Sequence, residues 1–341
     1  MKPVNQSALF GFTRELFSKV LENPSCCNFP GYEAIASDNA WFTRDNVEFV
    51  MAYWVEALQP DSVDAWLQGY ENQGSQRNKT IALIFAGNIP LVGFHDLLCC
   101  MVAGHRVIAK LSSKDRLLPE WYLNYLKQEL PEIAHSIEFT GHIVENFDAV
   151  IATGSNNSGR YFDYYFSKFP HIIRRNRNSA ALLSGAETRE ELALLANDVF
   201  LYFGLGCRSV NMLLVPPDYD FGMLIEVFTE KFGHLLNFGK YANNYDYYRT
   251  LFLLNRFEFA DCGFFLLREN SQLASPVAVL HFMRYSSGQE AMTFLAEMTE
   301  SLQCIVSTGH QQGTVLPGSA QKPALNDYSD GIDTLKFLLH L

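Results

Sequence analysis

Short apolar segments alternate with amphipathic segments from residue 80 onwards, and this alternation constrains the fold more than any other feature. Such an alternation predicts an α/β fold built on a parallel, doubly wound sheet. The predicted strands are 80–85, 106–111, 149–152, 180–183, 210–215, 264–267 and 277–282. The predicted helices between them are 91–103, 117–130, 158–168, 190–203 and 223–236.

The segments outside this alternating core are less regular. Two amphipathic helices are predicted at 7–22 and 45–58, whereas 70–79 is polar and is predicted to be a loop. The tail 313–333 is rich in Gly, Pro, Asn and Asp and is predicted to be irregular. A length of 341 residues exceeds what one core usually fills, so two domains are expected.

The charge balance excludes several classes of partner. Asp plus Glu is 37 and Lys plus Arg is 26, which gives a net charge of −11. This charge argues against a nucleic-acid partner and against an anionic membrane surface. The most apolar stretch, 81–107, is interrupted by polar residues and a proline, so no stable membrane insertion is predicted. Met1–Gln6 lack the apolar core of a signal peptide, and we therefore expect a cytoplasmic protein.

Cysteine and histidine usage points to neither disulfides nor metal. The seven cysteines are odd in number and include no Cys-x-x-Cys pattern, so reduced thiols are predicted. The nine histidines form no His-Glu-x-x-His motif and no Cys/His cluster, so no metal site is predicted.

Two predicted strands in the first half end in polar side chains. Asn88, in the segment Ala86-Gly87-Asn88-Ile89-Pro90, can direct an amide donor at a developing oxyanion. It also suits a helix N-cap, which is the favoured interpretation of this segment alone. Lys110, at the end of the next strand, can reach a ribose hydroxyl or a phosphate, but a solvated loop lysine is the favoured interpretation of this segment alone.

A Gly-Ser turn follows the third strand. In Thr153-Gly154-Ser155, with Gly159 four residues on, free backbone N–H groups at a helix start would suit a pyrophosphate. The segment is neither Gly-x-Gly-x-x-Gly nor a P-loop, so an ordinary capped turn explains the local pattern as well as a phosphate site does.

Cys207 has the most distinctive setting of any cysteine. It lies in Phe203-Gly204-Leu205-Gly206-Cys207-Arg208, at the junction of a predicted helix and a strand. The glycines allow close backbone approach to a ligand, and Arg208 favours the reactive thiolate. A lone cysteine is usually structural, yet this setting favours a nucleophile. Cys99 and Cys100 lie in an apolar helix and are interpreted as buried structural thiols.

Taken in order, these four segments resemble the aldehyde dehydrogenase superfamily. That family has an Asn-Phe-Pro segment, a strand ending in Lys-Pro-Ser, a Thr-Gly-Ser turn with a later Gly, and a catalytic Cys after Gly-Gln. The matching segments here are Asn88-Ile89-Pro90, Lys110-Leu111-Ser112, Thr153-Gly154-Ser155 with Gly159, and Gly206-Cys207. A fifth match, Ser275-Pro276-Val277, resembles the family's Phe-Gly-Pro-Val. The resemblance covers roughly residues 80–285.

The departures from the family pattern narrow the resemblance. Ile173, 34 residues before Cys207, falls where hydrolytic members carry the Glu that activates water. Without that base, water attack on a thioacyl enzyme is expected to be poor. The missing Glu, the short chain and the Gly-Leu-Gly-Cys segment most resemble the fatty acyl-CoA reductases of bacterial bioluminescence. The short chain also suggests that the family's usual oligomerisation arm is absent, which leaves a homodimer open.

The resemblance implies an aldehyde dehydrogenase-like fold with two domains. These are a Rossmann-type dinucleotide-binding domain at 1–183, to which 310–341 returns, and an α/β catalytic domain at 184–309. It implies an NAD(P)H-dependent reductase of acyl-CoA substrates, in which Cys207 forms a thioacyl intermediate and Asn88 holds the oxyanion. The implied alternatives are an aldehyde dehydrogenase or acyl-phosphate reductase of the same superfamily, and a catalytically silent binding or scaffold relative.

The resemblance also implies a cofactor site. Gln272 stands where the family places a ribose-binding Glu. This replacement weakens binding that is specific to an unphosphorylated ribose. NADPH is favoured over NADH because Ser113 and Lys114 follow the second strand, with no carboxylate before Asp115. The implied cofactor-binding residues are Lys110, Ser112, Ser113, Thr153, Gly154, Ser155, Gly159 and Gln272.

Overall fold

The computed structural model describes residues 6–70, 79–142, 145–154, 156–309 and 313–341, with the backbone alone for 156–158 and 160. The predicted loop at 70–79 lies almost wholly outside these residues. The chain forms two compact units, one made of Met1–Asn176 with Ala324–Leu341 and the other of Arg177–Pro323. These boundaries differ from the predicted ones at 183/184 and 309/310, because the strand at 178–182 and the segment 318–321 bond within the second unit.

The first unit is a parallel sheet with helices around it. Its strands are β1 Thr80–Ile84, β2 Arg106–Lys110, β3 Ile137–Thr140, β4 Ala149–Thr153 and β5 His171–Arg174. Its helices are α1 Gln6–Glu22, α2 Tyr32–Asp38, α3 Arg44–Ala57, α4 Pro60–Leu67, α5 Phe94–Ala103, α6 Leu117–Glu129, α7 Pro131–Ala134, α8 Asn156–Phe166 and α13 Thr334–Leu339.

The strand order of this sheet is β3-β2-β1-β4-β5, with every pair parallel. The strand order changes direction between β1 and β4. At such a point, the connections after the two neighbouring strands run to opposite faces of the sheet. In open α/β sheets this topological switch point forms the crevice in which ligands bind. β4 is buried along 149–152, as expected of a strand that is covered on both faces.

The segment 324–341 completes the core of the first unit. Leu335 and Leu338 on α13 are fully buried. The buried guanidinium of Arg174 lies 2.7 Å from Asp96 on α5 and donates to the Thr334 hydroxyl at 2.6 Å. Removing one partner of such a buried pair typically costs about 3–5 kcal/mol, because a charge is left uncompensated.

The second unit contains a seven-stranded sheet in the order β12-β11-β6-β7-β10-β9-β8. The pairs are parallel except β8–β9. Its strands are β6 Asn178–Leu182, β7 Val210–Val215, β8 Ala260–Asp261, β9 Leu266–Glu269, β10 Val279–Arg284, β11 Leu302–Ser307 and β12 Thr314–Val315. Its helices are α9 Arg189–Phe200, α10 Gly222–Phe232, α11 Gly239–Leu254 and α12 Gly288–Glu297.

Two helix ends differ from the prediction for conformational reasons. α5 begins at Phe94 rather than 91, because Leu91 has a φ of 53° and Gly93 occupies the N-cap. α9 ends at Phe200 rather than 203, because Tyr202 and Phe203 are left-handed. Within the described ranges, no helix has the length and apolar character needed to cross a membrane.

Candidate active site

Asn88 lies on the loop that follows β1, and its side chain is exposed. It does not cap α5, since that helix begins six residues later and has Gly93 at its N-cap. The helix-cap interpretation of Asn88 is therefore wrong. The amide stands at the carboxyl edge of the sheet, beside the switch point, and its role towards an oxyanion remains a prediction.

The loop after β1 is fixed against the loop after β2. A Cβ added to Gly87 would lie 2.5 Å from the Ser112 hydroxyl oxygen, so a larger residue would push the two loops apart. The Leu91 N–H donates to the Asp115 carboxylate at 2.8 Å. Asp115 is only 3% exposed, and this burial raises its pKa to about 7. Asp115, the acidic residue nearest in sequence to the predicted ribose site, thus already accepts a hydrogen bond from the backbone.

The predicted cofactor residues after β2 fall into two groups. Lys110 is half-buried at the last position of the strand, and Ser113 and Lys114 are exposed just beyond it. Ser112, in contrast, contacts Gly87 and accepts the Lys114 N–H on its hydroxyl oxygen at 3.2 Å. The structure therefore gives Ser112 a loop-bracing contact, whereas Ser113 and Lys114 are available to a ligand.

Thr153 and Gly154 stand at the carboxyl end of β4, and α8 begins two residues after Gly154. The Gly154 N–H already donates to the Arg174 carbonyl at 3.2 Å. A phosphate at this turn would therefore depend on the N–H groups of the first turn of α8, where the helix dipole also favours an anion. Ser155 lies outside the described residues.

Gly159 lies in α8 against a side chain that the sequence analysis missed. A Cβ at Gly159 would lie 3.3 Å from Cγ of Arg175, so the arginine crosses the helix where the glycine leaves room. The Arg175 guanidinium pairs with Asp163 on the same helix. The sequence offered no signal for this neighbour, because Arg175 stands in a basic run, 174–177, with no motif of its own.

Cys207 lies three residues after a run of three left-handed residues. We call the whole segment, residues 202–209, the Cys207 turn. The run has φ values of 53° at Tyr202, 59° at Phe203 and 74° at Gly204. This conformation costs about 1–2 kcal/mol at each non-glycine residue, so packing must hold it. Phe203 supplies such packing through ring contacts with Phe238 at 5.4 Å and Tyr241 at 6.0 Å. Cys207 is half-buried and precedes the amino end of β7.

Hydrogen bonds from distant parts of the chain fix the Cys207 turn. The buried Ser179 hydroxyl donates to the Cys207 carbonyl at 3.1 Å. The Ser209 hydroxyl oxygen accepts from the Gly206 N–H at 3.2 Å and from the Gln321 amide at 3.3 Å. The sequence did not indicate these hydrogen bonds, because they join segments that lie far apart along the chain. The segment 313–333, which contains Gln321, is predicted to be irregular.

The tail is itself held by a buried carboxylate on α9. The Asp198 carboxylate accepts the Gly318 N–H at 2.6 Å and the Ala320 N–H at 3.1 Å. Burial raises the pKa of Asp198 to about 7. Because Gln321 follows directly, this anchor places the amide that braces Ser209.

The electrostatic environment separates the cysteines. Burial raises the pKa of Cys99 and Cys100 well above the ordinary thiol value, which supports their structural interpretation. Burial also raises the pKa of Cys304 to about 11, and the positive charge of Arg208 opposes that rise. Arg208, which directly follows Cys207, is only 7% exposed. The positive charge of Arg208 thus acts on the Cys304 thiol.

Gln272 lies on the exposed segment that precedes β10. Its main-chain carbonyl accepts a hydrogen bond from the His281 ring at 2.8 Å. Because a carbonyl can only accept, Nδ1 is the donor in this bond, and burial lowers the pKa of His281. His281 thus fixes the backbone at Gln272, and the contact of the Gln272 side chain with a ribose remains a prediction.

Comparisons with known proteins identify the fold. No protein-family model matches the chain, and no curated protein sequence matches it significantly. The indole-3-acetaldehyde dehydrogenase of P. syringae, solved with NAD+, has 13% identity and a TM-score of 0.66 over 94% of this chain and 75% of its own. The glyceraldehyde-3-phosphate dehydrogenase of Methanocaldococcus jannaschii, solved with NADP, has 12% identity and a TM-score of 0.61 over 91% of this chain and 77% of its own.

A third similar structure is the NAD-dependent benzaldehyde dehydrogenase of Corynebacterium glutamicum. It has 12% identity and a TM-score of 0.63 over 90% of this chain and 76% of its own. At such identities the likeness concerns the fold alone. The predicted α/β fold, with a Rossmann-type and a second α/β part, is confirmed: this chain has the aldehyde dehydrogenase fold.

Proposed function

We propose that the protein is an NADPH-dependent acyl-CoA reductase that forms a thioacyl intermediate on Cys207. The observation that carries the proposal is the Cys207 turn. A half-buried thiol follows the left-handed residues 202–204, and hydrogen bonds involving Ser179, Ser209 and Gln321 hold the backbone around it in place. A thiol whose position is fixed in this way is typical of a nucleophile. Strained backbone persists only where the surrounding structure holds it, and it is concentrated at functional sites.

In the proposed first step, the Cys207 thiolate attacks the thioester carbon of an acyl-CoA. The carbonyl oxygen becomes an oxyanion, to which the Asn88 amide and the Cys207 N–H donate. One such donor typically contributes about 3 kcal/mol to transition-state stabilisation. The bond to the coenzyme A sulfur then breaks, coenzyme A leaves and takes a proton from solvent, and the acyl group stays on Cys207.

In the second step, the thioacyl carbon is reduced; a dinucleotide held by Lys110, Ser113 and Lys114 after β2 and by the start of α8 would supply the hydride. The same donors hold the oxyanion of the resulting thiohemiacetal. Its collapse breaks the carbon–sulfur bond, so an aldehyde leaves and Cys207 returns as a thiolate. Cys207 is thereby ready for another acyl-CoA without a proton from the protein.

Ile173 favours reduction over hydrolysis in this proposal. It is an apolar, half-buried residue of β5 at the position where the resembled hydrolytic enzymes carry a base. An aldehyde dehydrogenase needs that base to activate the water that releases the acid. The similar structures are named as aldehyde dehydrogenases, so oxidation of an aldehyde is the second candidate, and Ile173 is the observation that weighs against it.

The residues at the carboxyl edge of the first sheet fit a dinucleotide. The β1–β4 switch point, the start of α8, and Lys110 with Ser113 and Lys114 provide a crevice, N–H donors and positive charge. NADPH is the proposed cofactor, because Ser113 and Lys114 are exposed while Asp115 is buried. Lys114 would neutralise a 2′-phosphate to which Ser113 donates.

The test is an assay of NADPH oxidation with acetyl-, octanoyl- and myristoyl-CoA, run alongside NADP+ reduction with the matching aldehydes. We expect NADPH oxidation with stoichiometric release of aldehyde and free coenzyme A thiol. Aldehyde oxidation to free acid without coenzyme A would establish the dehydrogenase alternative instead. Absence of both turnover and covalent acylation would favour a silent binding relative.

Thiol labelling provides an independent check that needs no substrate. Iodoacetamide at neutral pH is expected to modify Cys207 first. Burial raises the pKa of the thiols at Cys26, Cys99, Cys100, Cys262 and Cys304, so these should react slowly. Mass spectrometry at short reaction times reads out the order, and first modification at Cys304 would contradict the assignment.

A further inference from the structure

A cavity lies in the second unit, away from the Cys207 turn. It has a volume of about 430 Å³ and is lined by residues that follow the carboxyl ends of β6 and β7. Cys207 precedes the amino end of β7, so the cavity opens at the opposite edge of the sheet. The carboxyl edge of a parallel sheet is the usual site of ligands, and the volume falls within the usual range for small-molecule sites.

The lining of this cavity is acidic. It includes Glu187, Asp218 and Asp220, and it includes no Lys, Arg or His. Glu187 is only 6% exposed, and its carboxylate accepts bonds from the Ser184 N–H, the Ser184 hydroxyl and the Gly185 N–H. These three donors fix the position of the Glu187 carboxyl group at the wall.

Tyr219 adds a polar group that the protein leaves unsatisfied. It lines the cavity and is only 9% exposed, and no hydrogen bond joins its hydroxyl to any described residue. Burial, and then the charges of Glu187 and Asp220, raise the pKa of Tyr219, so the phenol keeps its proton. Because no described residue bonds this hydroxyl, water or a ligand in the cavity completes its hydrogen bonding.

The remaining walls are apolar, and the nearby cation is already engaged. Leu192, Met223 and Leu224 line the cavity together with two prolines. Arg284 donates to the carbonyls of Pro216 and Pro217 instead of standing in the lining. Across the described chain, no three Asp, Glu, His or Cys side chains meet closely enough to hold a metal ion.

We propose that this cavity binds a small aliphatic ammonium ion. Its ammonium group lies between the Glu187 carboxylate and the Tyr219 hydroxyl, and its alkyl part lies on Leu192, Met223 and Leu224. The exposed carboxylates of Asp218 and Asp220 attract the cation at the mouth. The net charge of −11 increases the local concentration of such ions.

Isothermal titration with putrescine at low ionic strength tests this site. The uncharged diol of the same carbon chain serves as the matched probe. We expect saturable binding of putrescine and none of the diol. Tyr219→Phe should weaken binding about tenfold, because a hydrogen bond to a charged group is lost. Asp218→Asn should weaken it by about two- to fivefold, as for an exposed ion pair.

Three controls isolate the site. Glu190→Gln removes an exposed acid of α9 outside the lining and should leave binding unchanged. Cys207→Ala should also bind putrescine normally, so this result does not depend on the proposed reductase activity. Thermal melts of each variant establish that it is folded, and Asp218, being exposed, tolerates substitution even if Tyr219→Phe does not fold.

The outcomes are decisive in both directions. Saturable binding that falls in Tyr219→Phe and Asp218→Asn supports the ammonium site. Equal binding of the diol, wild-type affinity in both variants, or the absence of saturable binding would overturn it. So would displacement of putrescine by Mg²⁺ at far lower concentration than by Na⁺ of equal ionic strength, since that would indicate a metal site.

Discussion

The predicted cofactor loops of the first unit and the Cys207 turn of the second are held in place in different ways. The loops after β1 and β2 brace each other through Leu91 and Asp115, which are 24 residues apart. The Cys207 turn depends on Gln321, which is 112 residues from the serine it binds. The loops after β1 and β2 are thus braced mainly by each other, with one further hydrogen bond from Asn39 to the Lys114 carbonyl, whereas the Cys207 turn depends on Gln321 near the end of the second unit.

Cys207→Ala tests the more remotely braced region and should have the largest effect. We expect loss of all turnover and of covalent labelling by radioactive acyl-CoA, because the proposed thioacyl intermediate forms on the Cys207 sulfur. Cys304→Ala is the matched control, since Cys304 lies 3.1 Å from the same Ser179 hydroxyl and should be dispensable for labelling. Acyl label on Cys99, Cys100 or Cys262 would contradict the assignment.

Asn88→Ala tests the first-unit loop for a catalytic role. kcat should fall by roughly a hundredfold or more with little change in KM, because the amide acts on the transition state. The melting temperature should hold, since α5 begins at Phe94 and does not use Asn88 as a cap. Steady-state kinetics and a thermal melt of the same preparation decide, and an unstable variant with intact kcat would disprove the role.

Ser113→Glu tests the predicted preference for NADPH at the exposed loop that follows β2. A carboxylate there should repel a 2′-phosphate and shift the kcat/KM ratio of NADPH to NADH by about tenfold towards NADH, equal to about 1.4 kcal/mol. Ser113→Gln has the same size without the charge and should shift the ratio much less. A wild-type preference for NADH would refute the cofactor assignment.

Asp115→Asn should have the smallest effect, and it tests the brace between the loops. The folded carboxyl has a pKa of about 7, whereas its ordinary value is 3.8. Between these values the folded state holds a proton that the unfolded state has lost. The stability that this group contributes therefore falls as the pH rises from about 4 to about 7, by at most about 1.4 kcal/mol per pH unit.

Denaturant unfolding across that pH range measures the slope. Asp115→Asn should flatten it, and exposed Asp64→Asn should leave it unchanged. Asp198→Asn repeats the test in the second unit, because burial gives Asp198 a pKa of about 7 as well. If the slopes of wild type and Asp115→Asn coincide, Asp115 is not a buried protonated group.

The sequence predicts the strand-end residues of the first unit better than it predicts the Cys207 turn. Asn88, Lys110 and Thr153 were expected at strand ends and lie there, because buried strands and their polar termini are encoded locally. α11 was not predicted, since its buried positions include tyrosines, Tyr241 and Tyr245, within a polar and aromatic segment. The left-handed residues before Gly204 could not be predicted either, because distant packing rather than local preference imposes them.

The interrupted first unit has a consequence for how this protein is made. Residues 177–323 leave the ribosome before 324–341, yet Leu335, Leu338 and the Thr334 partner of Arg174 belong to the earlier core. At about 5–20 residues per second, the nascent first unit waits roughly 7–30 s with that core open. Until residues 324–341 are made, the Asp96–Arg174 pair lacks its Thr334 partner and the core lacks the Leu335 and Leu338 side chains.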